Sequence, residues 1–478
     1  MNKDTLLQLV RDNGNMTLGN QISLVAQLSF PAILAQLSII IMQYIDASMV
    51  GSLGARASAS IGIVSTTIWL FGGLCTSAST GFYVQVAHLI GGKNYAGARD
   101  VLRQSISTTL LFAFVLMAIG LGISPYLPIW LGGETAICKD ASFYFTIYAA
   151  TLPFIQLKSL AGGMLRSSGN VKVPSMLNIL MCVLDVLFNY LLIFPTQHYT
   201  LGGMHIAIPG ADMGVEGAAI ATMISVIITC ILMWLFLIFR CKELSLMYNE
   251  DKDYDGYIPK MHNVRMWLKI SLPMGIEHAL MCCAQIMSTI IVAPLGTASI
   301  AANSFGITVE ALCYLPGYGI AEAATTLVGQ SLGAQRESLA NRFAVITISA
   351  GMIIMTLTGI IMYIYAPEII SVMTPDMEVQ TLAINALRIE AWAEPMFAAS
   401  IVAYGVFVGR KAVYYPCLLN LFSIWAIRIP LAWYLSKDYG LSGVWFAMCI
   451  ELCFRGFNSL VLLKIKPTRI PLGKFRKR

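Results

Sequence analysis

Twelve separate runs of mostly apolar residues, each near the length a helix needs to cross a bilayer, restrict this chain more than any other feature. They lie at about 27–50, 60–86, 105–124, 143–165, 174–195 and 216–239, then at 270–294, 299–327, 343–365, 382–408, 416–435 and 441–463. A soluble chain carries about 25% charged residues, whereas here 12% are charged and 57% hydrophobic. The expected fold is therefore that of an all-α polytopic membrane protein. The first run is too long for the core of a signal peptide, and no small-residue cleavage site follows it. Ahead of it, residues 4–12 read either as a short interfacial helix or as a disordered start.

Lysine and arginine set the orientation. With the N-terminus inside, the inner ends and loops and the tail after Leu463 hold 24 basic residues; the outer side holds four, Arg56, Lys139, Arg388 and Lys437. That asymmetry places both termini in the cytoplasm, with the chain in the cytoplasmic (inner) membrane. The net charge of +6 then faces anionic lipid and requires no nucleic-acid partner. The eleven cysteines are scattered, and the closest, Cys282–Cys283 and Cys449/Cys453, lack a second pair to complete a metal site. They read as buried thiols acting as small apolar groups.

The chain also repeats itself. At a fixed offset of 242, Ser29, Pro31, Gln43, Gly54, Thr66, Gly91, Pro153, Pro174 and Asn178 fall on Ser271, Pro273, Gln285, Gly296, Thr308, Gly333, Pro395, Pro416 and Asn420. A looser pair, GVEGAAIA at 214–221 and GLSGVWFA at 440–447, stands at an offset of 226. Six runs per half is an even number, so both halves enter the membrane from the same side. The expectation is two six-helix lobes, 1–240 and 266–478, related by a pseudo-twofold axis along the membrane normal and joined by a cytoplasmic linker at 241–265. Such a pair of bundles suits alternating access; a channel or a scaffold built from a duplicated bundle is the other reading.

The first run, PAILAQLSIIIMQYIDASMVGSLG at 31–54, and its copy at 273–296 carry polar groups that lipid does not ask for. Together with LRSSGNVKVP (165–174), GVEGAAIAT (214–222), LPMGIE (272–277), PLG (294–296), LVGQSLGA (327–334), RIP (428–430) and YGLSGVW (439–445), they resemble the multidrug and toxic compound extrusion (MATE) family, with a leaning to its DinF-like branch. The resemblance covers nearly the whole chain. It implies twelve helices in two lobes, and export of amphipathic, often cationic compounds against entry of H⁺ or Na⁺.

An ionisable group inside a spanning helix is a functional candidate by default. Asp46, within IDASMVGSLG, matches the family's first-lobe coupling aspartate, although at the outer end of its run it also suits a helix anchor. Pro31, fifteen residues earlier, and Pro273 in the copy are candidate hinges, because proline removes a backbone hydrogen bond. Asp185 and Asn189, four apart and so on one face, are expected to share a proton or Na⁺ with Asp46, and Asn178 to join them. The order of that pair is reversed from the DinF-like branch. In the second half Glu277, Glu310, Glu322 and Glu394 are the candidates, with Glu390 four residues before Glu394 on the tenth run. Lys158, Arg428 and Arg455 are the intramembrane cations able to neutralise some of them. The 25 methionines, with Trp69, Phe71, Tyr83 and Phe188, are candidates to line a pliable drug cleft. His88 and its counterpart Gln330 read as helix-end or interfacial groups.

No phosphate loop, zinc spacing or nucleophile elbow is present, so the reading is not an enzyme and needs no cofactor beyond the coupling ion. The expected function is secondary antiport by a monomer, exchanging a small molecule for H⁺ or Na⁺. A flippase for a lipid-linked precursor and a channel or non-transporting membrane protein are the alternatives.

Overall fold

The computed structural model describes residues 2–201, 204–247 and 256–465. The basic tail beyond 465 and the middle of the 241–265 loop lie outside the described residues. Each apolar run becomes helix, because in hydrocarbon a backbone N–H or C=O finds no water and must bond within its own segment. In chain order the helices are α1 (Lys3–Arg11), α2 (Leu18–Gly51), α3 (Ala55–Gly91), α4 (Tyr95–Ile123), the short α5 (Leu127–Trp130), α6 (Thr135–Ser167) and α7 (Lys172–Ile193). Strands β1 (Pro195–Leu201) and β2 (Met204–Ala211) then precede α8 (Gly214–Arg240). The second half holds α9 (Met261–Val292), α10 (Thr297–Gly333), α11 (Glu337–Met373), α12 (Met377–Glu390), α13 (Glu394–Gly409), α14 (Tyr414–Phe422) and α15 (Ile429–Ile465). A π-helical turn at Ser423–Arg428 links the last two.

Among the described residues nine helices are each long and apolar enough to cross a membrane, with Tyr414–Lys464 taken as one 51-residue stretch. That stretch breaks at Gly440, whose φ of +56° no helix accommodates, and so supplies two spans. The pair α12 and α13, bent by 60°, supplies another. The 33-residue α6, less apolar than the rest, completes the expected twelve. The antiparallel hairpin β1–β2 between α7 and α8 was not anticipated from the sequence. Neither was the break in the tenth run, where Pro395 stands in the first turn of α13, a position whose N–H has no partner within the helix in any case.

The repeat is written in the backbone. Helices α3 and α10 each run 37 residues and start 242 apart, and α4 and α11 likewise start at 95 and 337. Left-handed residues at helix ends recur at the same offset: Gly54 (φ +109°) and Gly296 (φ +99°), Lys93 (φ +58°) and Gln335 (φ +59°), Gly169 (φ +91°) and Lys411 (φ +60°). Gly214 (φ +54°) and Gly440 (φ +56°) match at the looser offset of 226.

Packing forms two compact units, one of residues up to Ile33 and from Ile276 on, the other Leu34–Gly275. The boundaries are again 242 apart and fall two residues beyond Pro31 and Pro273, inside α2 and α9, both of which continue through their prolines. They therefore cross the division drawn at 241–265 from sequence order. The reason is visible in each unit by itself. In the Leu34–Gly275 unit, the first turns of α9 pack on α3 and α4: Trp267 donates to the Ala78 carbonyl at 2.8 Å and stacks on Phe82 at 5.7 Å, and Asn263 donates to Gln104 Oε1 at 2.8 Å. In the other unit, the first turns of α2 pack on α10, so closely that a Cβ on Gly319 would lie 2.7 Å from the Ile33 nitrogen. There too α1 forms, burying Leu6, Leu7 and Val10, while Arg336 donates to the carbonyls of Leu9 (2.8 Å) and Gly14 (2.9 Å). The helical reading of residues 4–12 thus prevails over the disordered one.

Candidate functional site

Three acidic groups emerge, one in the Leu34–Gly275 unit and two in the unit containing residues from Ile276 on. In the first, α2 delivers Asp46 and α7 delivers Asp185 and Asn189, four apart and hence one turn apart on one face. The Asn189 amide donates from a single nitrogen to Asp46 Oδ1 at 2.7 Å and to Asp185 Oδ2 at 3.1 Å. Asp185 and Asn189 are each 1% exposed, and Asp46 is half-buried. Thr222 of α8 faces Asp185, and Tyr144 of α6 lies within the field of both carboxylates. Neither was expected, although Thr222 closes the GVEGAAIAT stretch that carried the resemblance. Asn178 stays outside: it lies about 10 Å along α7 from Asp185, and no hydrogen bond joins it to the pair.

The electrostatics of this triad are unusual for a membrane interior. Two carboxylates side by side repel unless something positive stands between them, and here the amide N–H₂ dipole does so. Two buried oxygens, Asp185 Oδ1 and Asn189 Oδ1, make no hydrogen bond. An unpartnered acceptor in a low-dielectric site costs about 1–3 kcal/mol, which a proton or a small hard cation would relieve. Turning the Asn189 amide over exchanges its nitrogen and oxygen without changing its shape, and would aim a third oxygen, an amide carbonyl, at a cation held by Asp46 and Asp185. The donor set therefore fits Na⁺ as well as H⁺. Among the described residues no group of three or more His, Cys, Asp or Glu side chains forms a metal-binding cluster.

The second group centres on Glu277, which is 7% exposed on α9. Tyr404 Oη of α13 donates to it at 2.7 Å and Asn420 Nδ2 of α14 at 2.6 Å. Asn420 is the repeat copy of Asn178. The amide expected to serve the first half does its work in the second. Tyr404 was not singled out from the sequence, because a lone tyrosine on an apolar helix carries no spacing signal.

The third group surrounds Glu310 on α10, whose charge is felt by Arg428 and Arg455. Glu390 and Glu394 are not one face of a continuous helix, as their spacing suggested: the first ends α12 and the second begins α13, across the 60° bend. Both are fully buried, and among the described residues none of their four carboxylate oxygens has a hydrogen-bond partner. Glu451 of α15, missed in the sequence, completes the group; it pairs with Arg455 at 3.1 Å and accepts from Ser423 Oγ at 2.6 Å. Its signal was available, since it stands one turn before the intramembrane Arg455. Arg428 lies against the Met448 thioether, and Arg455 over the Phe397 ring at 5.5 Å. Glu322 sits about 18 Å farther along α10 than Glu310, so the two serve different places. Phe71, expected as a cleft aromatic, is instead core, edge-on to Phe145 at 5.8 Å.

A family model, MatE, matches residues 31–191 and again 273–434, two segments that reproduce the internal repeat. The chain belongs to the MatE family. Among similar proteins, the "Probable multidrug resistance protein NorM" of Thermotoga maritima is 24% identical over 424 residues, covering 87% of this chain and 86% of that one. The protein of the same description from Bacillus cereus is 26% identical over 443 residues, covering 91% and 93%. Of solved structures, a MOP superfamily transporter from Pyrococcus furiosus superposes with a TM-score of 0.85 at 19% identity, over 96% of this chain and 97% of that one. The likeness shows the fold, a multi-pass helical membrane scaffold of twelve spans.

Proposed function

We propose that this protein is a secondary active exporter of amphipathic, cationic small molecules, driven by the inward movement of H⁺ or Na⁺ through its acidic sites. The observation that carries the reading is the Asp46–Asn189–Asp185 triad: two carboxylates bridged by one amide, with two unpartnered acceptor oxygens and, among the described residues, no cation paired with either carboxylate. The multidrug resistance relatives agree with it. In this reading the chain acts in the cytoplasmic membrane as a monomer of two lobes, and the distribution of lysine and arginine supports both termini being inside.

The chemistry follows from charge. With its ion bound, the triad is neutral enough to stay desolvated. With the ion released, two uncompensated carboxylates attract a cationic compound and pull on α2 and α7. The carboxylate oxygens serve ion and cargo in turn, so the two exclude each other. Pro31 and Pro273 give α2 and α9 a missing hydrogen bond at the point where each helix passes from one compact unit to the other, and that is where a bend costs least. The Glu310 group supports a second ion-carrying site: four carboxyls face two guanidiniums, and burying two uncompensated charges is far costlier than holding two protons.

Efflux of a fluorescent cation from proteoliposomes under an imposed proton or sodium gradient tests the reading. Wild type should export uphill and saturably under at least one gradient, and Asp46→Asn should lose at least about 1.4 kcal/mol of transition-state stabilisation, a tenfold loss in rate. Normal export by the variant under both gradients would remove Asp46 from the mechanism. Passive equilibration without concentration would favour a channel.

A further inference from the structure

Lys158 is the intramembrane charge that no part of the preceding mechanism uses. It stands on α6 and points between α7 and α8, where its ammonium lies 2.9 Å from the Met181 thioether. A thioether is a weak acceptor and a poor reason to desolvate an ammonium. No carboxylate comes within ion-pairing distance of it among the described residues, yet Asp185 is near enough for the two charges to act on each other. Met181 and Asp185 are four residues apart, one turn on the same face of α7. The lysine stem is a flexible chain of four carbons. A rotamer change along that stem would carry the ammonium from Met181 toward Asp185 Oδ1, the acceptor that is buried and, among the described residues, without a partner. The other groups facing Lys158 are Cys182 of α7, Cys230 of α8 and Arg166 of its own helix, none of which is a carboxylate.

We infer that Lys158 is a tethered cation which competes with Na⁺ for Asp185 and so sets the ion selectivity of the Asp46–Asn189–Asp185 site against sodium. The inference rests on the proposed coupling role of that site. A fixed positive charge about one helical turn away raises the free energy of a second cation there, and in a low-dielectric interior the effect is large. The ammonium also has its own use for the vacant oxygen, which a monovalent metal would have to displace. The same reasoning explains why a lysine is kept beside a thioether: it is parked there while another cation, or a proton, holds the carboxylate.

Na⁺ binding to the purified protein in detergent separates this role from transport. Thermal unfolding is followed while NaCl replaces choline chloride at constant ionic strength, for wild type, Lys158→Met, Lys158→Gln and Lys158→Arg. Wild type and Lys158→Arg should show Na⁺-specific stabilisation only at high concentration. The two neutral variants should respond to Na⁺ at about one tenth the concentration or less needed by any charged form, and adding Asp46→Asn to Lys158→Met should abolish that response. Two neutral substitutions are used so that misfolding of one leaves the other readable. A wild type already stabilised by Na⁺ as strongly as Lys158→Met, or neutral variants that stay silent, would overturn the assignment. If export fails under every gradient while the Na⁺ titrations behave as stated, the exporter reading falls and the selectivity role of Lys158 stands.

Discussion

The two repeats share a backbone and differ in nearly every charge. Positions 68 and 148 are Ile and Tyr in the first repeat, where Tyr148 donates across to the Ile68 carbonyl at 2.8 Å. The same two positions in the second repeat, 310 and 390, are both glutamates that feel each other's charge. Asp46 and Asp185 correspond to Ser288 and Ile427, and Glu277 and Glu394 to Ala35 and Leu152, so no buried acid has an acidic copy. The first repeat therefore concentrates two carboxylates on one amide, whereas the second spreads five over two groups and needs two arginines. Duplication supplied a frame twice, and the chemistry was placed on each copy separately.

That contrast can be pressed from both sides. The largest effect is expected at Glu451→Leu, which strands the buried Arg455 guanidinium; unfolding stability should fall by about 3–5 kcal/mol, whereas the double change with Arg455→Leu should recover most of it. Asp185→Asn in the other repeat should cost far less stability while abolishing ion-coupled efflux; an equal loss of stability would mean that both clusters are structural. Next, Tyr404→Phe removes one of the two donors to Glu277 and should cost about 1.5–3 kcal/mol, with no counterpart in the first repeat because Gly162 stands at the equivalent position. Smallest is the loop pair Gly169 and Lys411, both left-handed. Lys411→Gly should stabilise by about 1 kcal/mol and Gly169→Ala destabilise by about as much, since only glycine takes that conformation freely.

Lys411 also gives a pH signature to its repeat. Burial of its ammonium, in the loop between α13 and α14, lowers its pKa from the ordinary 10.5 to about 8. The unfolded chain binds more protons than the folded one between those values, so this residue makes stability rise with pH from about 8 upward. Thermal unfolding across that window should lose this slope in Lys411→Gly. A slope unchanged by the substitution would assign it to another group.

Sequence alone determined what is periodic or forbidden by lipid. Twelve apolar runs had to become helices because hydrocarbon leaves the backbone no other partner, and the offset of 242 between Pro31 and Pro273 or Gly54 and Gly296 reappears in the helix starts and the left-handed residues. Asp185 with Asn189 was legible because a four-residue spacing fixes a helix face. Only the tertiary structure decided which amide meets which acid: Asn178 and Asn420 are the same position of the repeat, yet only Asn420 finds a carboxylate, since Glu277 and Tyr404 arrive from other helices. It also decided that Glu390 and Glu394 flank a bend, that Glu451 belongs with Arg455 and Ser423, and that α2 and α9 change units just past their prolines. Spacing constrains neighbours on one helix; which faces of different helices meet depends on packing, and packing is a property of the whole chain.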